Sequence, residues 1–284
     1  MANRIIRALA PAKLNLFLHI RGRFENGYHD LQTLFRLLDH GDEMSFTARS
    51  DGRLTLHCSG PESAGLPMDS NLVLKAARRL RDLSGNETLG AKIELTKYLP
   101  HGAGLGGGSS DAATTLSALN RLWQLNLSLV DLCKLGAELG ADVPVFLAGR
   151  TAWGEGIGDK LSPVELPHCW YLVVTPDCHV ATEAIFSHQQ LTRNSSTIKM
   201  ADFLAGRSRN DCEFVTKLLY PEVGKAMKIL EEFAKMRMTG TGSSIFAEFQ
   251  TEAEAFAILE KLPKHLKGFV AKGVNSLEEM RIRP

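Results

Sequence analysis

Residues 100–123, PHGAGLGGGSSDAATTLSALNRLW, carry the feature that most limits what this chain can become. Five glycines and two serines fall within residues 102–110, and an apolar helical pattern follows at once. Glycine loses more backbone entropy on folding than any other residue, so such a cluster is costly unless a backbone must come close to something. Ala112, Leu116, Leu119 and Trp123 recur on one helical stripe. The first N–H groups of such a helix have no intrahelical partner, and its dipole adds partial positive charge there. Glycines just ahead of it remove the Cβ atoms that would hold a polyphosphate away, so the segment reads as an anion cradle. Ser109 and Ser110 add hydroxyls that can donate to phosphate or approach a metal bound to it.

Two phosphate motifs compete for this stretch. A Walker A loop requires a lysine after its glycines, and none follows here. Gly102, Gly104 and Gly107 satisfy G-x-G-x-x-G, but any glycine-rich run does. The dinucleotide fingerprint also needs a following strand that ends in an acidic residue, whereas this sequence continues as a helix and a second helix start. A mere flexible linker fits poorly between a strand pattern at 92–97 and a helix pattern after Asp111.

Elsewhere the apolar spacing alternates between strand and helix. Leu14, Leu16, Leu18 and Ile20 occupy every second position and predict a strand, with Lys13 and Asn15 on its other face. Shorter alternations at Met44-Phe46-Ala48, Leu54-Leu56 and Ile93-Leu95 predict further strands. Val73, Ala76, Ala77, Leu80 and Leu83 predict a helix over 71–84 that stops at Gly85. Ser128 with Asp131, and Thr251 with Glu254, resemble capping boxes. WYLVVT (170–175) and GFVAKGV (268–274) read as strands, Val223, Met227, Leu230 and Ala234 as a helix face, and MTGTGSSIFAEF (238–249) as a loop entering a strand. Strands and helices mix without strict alternation, so an α+β fold is expected over a doubly wound sheet. The glycine-dense GRTAWGEGIGDKL, near residues 150–160, is taken as the boundary between domains 1–156 and 157–284.

Composition narrows the function classes. With 284 residues the chain can build one large or two ordinary domains. A net charge of +1 provides no basic field for nucleic acid or an anionic membrane. Five scattered cysteines without a CxxC pair argue against a disulfide framework or a zinc site and for reduced thiols in the cytoplasm. The N-terminus does not read as a signal peptide, and no stretch approaches the apolar length that spans a bilayer. The expected partner is a small molecule, not nucleic acid or membrane, and the expected state a monomer or weak homodimer.

LPHGAGLGGGSSDAA resembles the phosphate-binding motif of the GHMP kinase superfamily, which includes galactokinase, homoserine kinase and mevalonate kinase. MTGTGSSIFAEF resembles that superfamily's third motif. PAKLNLFLHIRGRFENGYHDLQTLF and LGADVPVFLAGRTAWGEGIGD resemble the branch that acts on a cytidine-diphosphate-linked methylerythritol. The likeness runs along nearly the whole chain in the family's order. It implies a two-domain α+β fold with the active site in the interdomain cleft. It also implies ATP-dependent phosphorylation of the 2-hydroxyl of 4-diphosphocytidyl-2-C-methyl-D-erythritol, in the non-mevalonate isoprenoid precursor pathway.

The same resemblance implies roles for individual residues. Asp142 and Lys13 are the catalytic pair, the first to take the hydroxyl proton and the second to offset charge on the transferring group. Pro100, Gly102, Gly104, Leu105, Gly106, Gly107, Gly108, Ser109 and Ser110 hold the nucleotide phosphates, with Asn71 and Lys97 bordering the adenine. Asn15 positions the substrate, and Tyr28 and His29 meet the cytosine ring with Phe186 on its opposite face. Thr182, Thr239 and Gly240 complete the substrate set. Mg²⁺ follows from ATP chemistry; no ligand cluster stands out, and Ser109, Ser110 and Asp111 are the candidates. Each residue also has an ordinary reading: Lys13 as a solvated strand lysine, Asp142 as a loop aspartate, Asn71 as part of the start of the 71–84 helix, Lys97 as a strand-end charge and Phe186 as core. The alternatives for the whole chain are a sister kinase acting on mevalonate or a sugar, a nicotinamide-dependent dehydrogenase, and a non-catalytic nucleotide-binding regulator.

Overall fold

The computed structural model describes residues 5–65 and 71–282. The chain opens with β1 (Ile5–Arg23), β2 (His29–Arg49) and β3 (Leu54–Ser59), then α1 (Leu72–Ser84), β4 (Gly90–Thr96) and α2 (Gly107–Leu122). Next come α3 (Leu129–Leu139), α4 (Val143–Ala148), β5 (Ala152–Gly156), β6 (Lys160–Pro163) and β7 (Trp170–Thr175). The helices α5 (Thr182–Ser187), α6 (Met200–Leu204), α7 (Glu213–Leu219) and α8 (Pro221–Leu230) follow. The chain ends with β8 (Arg237–Met238), β9 (Ile245–Phe249), α9 (Glu252–Leu259), β10 (Lys267–Val274) and a 3₁₀ turn at Leu277–Ile282. Among the described residues no helix is long and apolar enough to cross a membrane.

Two compact units result. The first comprises Met1–Ala12, His40–His101 and Gly106–Gly149; the second comprises Lys13–Asp39, Gly102–Leu105 and Arg150–Pro284. These are not the consecutive stretches 1–156 and 157–284. The long strands β1 and β2 each contribute one end to either unit, which no single cut in the sequence can reproduce. The glycine-dense stretch expected to mark the boundary is a hairpin, β5 with β6, inside the second unit.

In the first unit β4 lies between β3, which it pairs in parallel, and the far end of β2, which it pairs antiparallel from Glu43↔Thr96 to Arg49↔Gly90. The apolar stripe of α1 (Val73, Ala76, Ala77, Leu80) and that of α2 (Ala112, Leu116, Leu119) are buried, as are Phe46, Ile93 and Leu95 on the sheet. The Trp123 indole, just past α2, donates to the Gly90 carbonyl at 3.1 Å. Ser128 and Thr251 cap their helices as the sequence predicts, and Asn71, expected as the first helical residue, is the cap of α1, each side chain accepting a first-turn N–H. Ser128 and Asp131 form half a capping box: the serine accepts the Asp131 N–H, and the Asp131 carboxylate turns back to the serine hydroxyl.

In the second unit β10 runs antiparallel between β7 and the near end of β2, with β9 and β8 beyond β7. Leu18, Ile20, Leu172, Val174, Val223, Met227, Leu230 and Ile245 belong to one core. Ala234, expected on the helix of Val223, lies past the end of α8 and packs against that core from a turn. Arg36 is fully buried and donates to Asn275 Oδ1 and to the carbonyls of Pro167 and Gly273, so its charge sits among oxygens. Strand β1 exceeds the predicted 13–20 at both ends, and residues 10–20 are buried on both faces. Lys13, Asn15 and His19 are therefore interior groups whose polar atoms need partners.

Candidate active site

The glycine run is divided between the units. Gly102–Leu105 belongs to the second. There Ser244 N donates to the Ala103 carbonyl at 3.1 Å and Lys13 N to the Leu105 carbonyl at 3.0 Å. Gly104 has a φ of +77°, and a Cβ on it would run into the carbonyl oxygen of Thr239. The run then changes character. Gly107, Gly108, Ser109 and Ser110 are not loop, as expected, but the first turn of α2, with left-handed Gly106 (φ 74°) as its N-cap. Having no side chain, Gly106 supplies no cap, so the first N–H groups of α2 remain open to an anion. Among the described residues Ser110 Oγ and Asp111 Oδ1 are buried with no hydrogen-bond partner. Pro100, half-buried, precedes this segment.

Beside that turn, within the first unit, three charges are buried together. Lys97 Nζ donates to Asp42 Oδ2 at 2.5 Å and to Asp111 Oδ2 at 2.9 Å. Asp42 Oδ1 accepts the backbone N–H groups of Tyr98 and Leu99 at 2.7 and 2.9 Å. Burial pushes the Asp111 carboxyl up to about 7 against the pull of Lys97, and the Asp42 carboxylate adds to the rise. Burial alone would lower the Lys97 pKa, but the two carboxylates outweigh it and raise it. The structure thus shows the Lys97 ammonium committed to two acids. Asp42 drew no attention in the sequence, because only the β2–β4 register brings it to Lys97. Asn71 is the cap of α1, accepting the Val73 N–H at 2.9 Å. Asp142, half-buried, is the N-cap residue of α4 and belongs to this unit.

Lys13 belongs to the second unit. It is 3% exposed, donates from Nζ to Asn15 Oδ1 at 2.5 Å, and lies 5.6 Å from the centre of the Phe35 ring. Asn15 is itself fixed: its Nδ2 donates to Thr33 Oγ1 at 2.9 Å and its backbone N–H to Thr239 Oγ1 at 2.8 Å. Thr239 is wholly buried, and its hydroxyl also reaches the Gly104 carbonyl at 3.4 Å. Asn210 Nδ2 donates to the carbonyls of Met238 and Gly240 at 2.9 and 2.8 Å. Thr239 and Gly240 therefore connect Asn15 to the glycine run. Thr33 and Asn210 have no local sequence signal, since each acts across a long separation.

The proposed base-binding residues lie at the β1–β2 turn, where Phe24 N donates to the Tyr28 carbonyl at 2.8 Å. Tyr28 is 56% exposed and His29 only 8%. The His29 and Phe186 rings stack directly on each other, centroids 4.9 Å apart and 29° from parallel. A base cannot lie between those two rings in this arrangement, which would have to open to roughly twice one stacking distance. His29 Nε2 accepts from Arg193 Nε at 3.2 Å. Burial, then the charges of Arg193 and Arg23, lower the His29 pKa and keep the ring neutral at pH 7. Thr182, at the start of α5, is exposed and shares a hydrogen bond of 3.1 Å with Thr241.

Comparison with known proteins identifies the family. The family model "GHMP kinases N terminal domain" matches residues 71–150, and "GHMP kinases C terminal" matches residues 191–268. A 4-diphosphocytidyl-2-C-methyl-D-erythritol kinase of Pseudomonas aeruginosa is 55% identical over 266 residues, covering 94% of this chain and 93% of that protein. One of Pseudomonas putida is 53% identical over 266 residues, covering 94% of this chain and 92% of that protein. A crystal structure of a 4-(cytidine 5'-diphospho)-2C-methyl-D-erythritol kinase superposes with a TM-score of 0.78 at 29% identity, covering 95% of this chain and 100% of that one. A homoserine kinase from Cytophaga hutchinsonii, 19% identical, shares the fold with a TM-score of 0.65 over 98% of this chain and 96% of its own. With both family models matched and identity above half along nearly its whole length, the chain belongs to the GHMP kinase family.

Proposed function

We propose that this chain transfers the γ-phosphoryl group of ATP to the 2-hydroxyl of 4-diphosphocytidyl-2-C-methyl-D-erythritol, a step of the non-mevalonate isoprenoid precursor pathway. The observation that carries the reading is the 55% identity, over 94% of the chain, to a relative named for that kinase activity.

Phosphoryl transfer asks for positioning and charge stabilisation more than for covalent help. The uncapped first turn of α2, from Gly107 to Ser110, receives the phosphates on its N–H groups, and Gly102, Gly104, Leu105 and Gly106 shape the approach. Lys97, expected to border the adenine, also braces that turn through Asp111 and Asp42. Lys13, oriented by Asn15, offsets charge on the transferring group, and Asp142 accepts the hydroxyl proton as the phosphoryl group leaves. Tyr28, on an exposed turn, offers a ring to the base, with His29 at its edge.

Mg²⁺ normally binds one or two protein oxygens and lets substrate phosphates and water fill the rest of its shell. Ser110 Oγ, a buried hydroxyl without a partner in the turn proposed for the phosphates, suits that role. No three acidic, histidine or cysteine groups cluster as a metal cage among the described residues. When bound, the ion would neutralise phosphate charge.

A phosphorylation assay offering the cytidyl alcohol, mevalonate and galactose tests the reading: turnover is expected on the first alone. Asp142→Asn is expected to lower kcat at least a thousandfold and leave the Kd for ATP within about threefold. A variant with more than a tenth of normal turnover would show that Asp142 is no base.

A further inference from the structure

Arg193 is the group on which buried His29 and half-buried Phe186 converge. Its Nε donates to His29 Nε2 at 3.2 Å. Its Nη2 donates to the carbonyls of Phe186 and His188 at 2.8 and 2.9 Å, and its Nη1 to that of Leu191 at 3.3 Å. One guanidinium thus fixes the backbone that carries Phe186 and one nitrogen of the ring on which Phe186 stacks. All these residues belong to the second unit.

The consequence for His29 is chemical. An arginine has only N–H donors, so the nitrogen facing it must carry the lone pair. In a neutral imidazole the proton then sits on Nδ1. Among the described residues His29 Nδ1 donates to no protein acceptor, so its N–H remains for a ligand. Cytosine and uracil differ at the atom such a donor would meet: N3 of cytosine is an acceptor, whereas N3 of uracil bears a hydrogen. We propose that Arg193 is a positioning residue that makes this enzyme select cytosine over uracil, by holding His29 as its Nδ1–H tautomer and fastening Phe186 against it. The proposal rests on the cytidyl reading above and adds to it the residue that sets base choice. A buried donor left facing another donor is the kind of mismatch that discriminates strongly between close analogues.

Two measurements on the full chain test it. In protein labelled with ¹⁵N-histidine, with His29 assigned by its loss in His29→Gln, the ring nitrogens are expected to report the Nδ1–H tautomer. Arg193→Met is expected to shift them towards a mixture. The second measurement compares the cytidyl alcohol with its uridyl analogue at saturating ATP. Arg193→Met is expected to reduce the cytidyl-over-uridyl ratio of kcat/KM at least tenfold, through a higher KM for the cytidyl substrate, with KM for ATP changed less than twofold. Arg193→Lys keeps a donor towards Nε2 and is expected to recover most of the ratio, which a merely structural role would not require. Removing the Arg193 charge leaves Arg23 as the nearby cation, so the His29 pKa is expected to rise and KM for the cytidyl substrate to acquire a pH dependence between about pH 5 and 7. A wild-type spectrum showing Nε2–H overturns the inference even if the methionine variant folds poorly. So does a methionine variant that keeps the ratio within twofold. A wild-type enzyme that leaves the cytidyl alcohol unphosphorylated overturns instead the functional reading on which the selectivity was built.

Discussion

Lys97 illustrates how little a residue's neighbours in sequence say about its neighbours in space. At the end of a predicted strand and just before a glycine run, it invites a nucleotide contact. The β2–β4 register instead closes Asp42 on it, and α2 brings Asp111 from the other side. Removing one partner of a buried ion pair leaves an uncompensated charge, which costs about 3–5 kcal/mol. Lys97→Met is therefore expected to lose stability on that scale in urea denaturation at pH 8. Asp111→Asn should cost far less there, because it removes one of two crowded acids. The pH dependence has a definite sign. A carboxyl whose pKa rises on folding from 3.8 to about 7 holds a proton that the unfolded chain has released. Its contribution to stability is greatest below the unfolded value and declines as pH rises towards the folded one. Denaturation midpoints between pH 4.5 and 7.5 are thus expected to show a steeper fall with rising pH for the wild type than for Asp111→Asn. At the same scale Lys13, Asp142, Tyr28 and His29 were legible as unusual residues only through motif resemblance. Asp42, Thr33, Asn210 and Arg193 were invisible because their partners lie 55, 18, 28 or 30, and 164 positions away.

Elements with local signals were read well. Asn71, Ser128 and Thr251 mark helix starts because a capping side chain acts within its own turn. Left-handed Gly85 ends α1 where a glycine was expected to end it. Two elements were misjudged for physical reasons. Pro11 hides the extent of β1 by interrupting the alternation; a proline is tolerated on a strand with a free edge, and among the described residues β2 is the one strand that pairs with β1. The start of α2 lies earlier than the helix pattern after Asp111 suggests: glycine has poor helix propensity, yet Gly107 and Gly108 are helical. The residue that ends the loop is Gly106, whose left-handed backbone is strained for any residue bearing a Cβ. Gly106→Ala is expected to cost about 1–2 kcal/mol and to reorient the first turn of α2. The result to look for is a tenfold or larger rise in KM for ATP by steady-state kinetics, with KM for the alcohol far less affected. An unchanged KM for ATP would separate the phosphates from this turn.

At the scale of the molecule, the sharing of β1 and β2 means that residues 157–284 do not contain a complete second unit, whereas residues 1–149 contain all of the first. A fragment of 157–284 lacks the strands that supply Leu18 and Ile20 to its core, while a fragment of 1–156 holds the first unit entire and leaves only Leu37 and Leu38, of the second, without β10. The 157–284 fragment is expected to show collapsed amide dispersion in ¹H NMR and weak far-ultraviolet circular dichroism, and the 1–156 fragment to keep dispersed signals for the residues of the first unit. The α+β class was legible from mixed periodicities, while the interleaving was not, since periodicity carries no information about which distant strand pairs with which.

The pairing of Leu38 with Gly273 also sets a timetable at the ribosome. The apolar near ends of the first two strands emerge early, and their last ladder partner is polymerised only when almost the entire message has been read. At common translation speeds that interval is on the order of ten to fifty seconds. For that time a nascent hairpin rich in leucine waits with one edge unsatisfied, so holding chaperones are expected to govern the yield of soluble enzyme more than its equilibrium stability does.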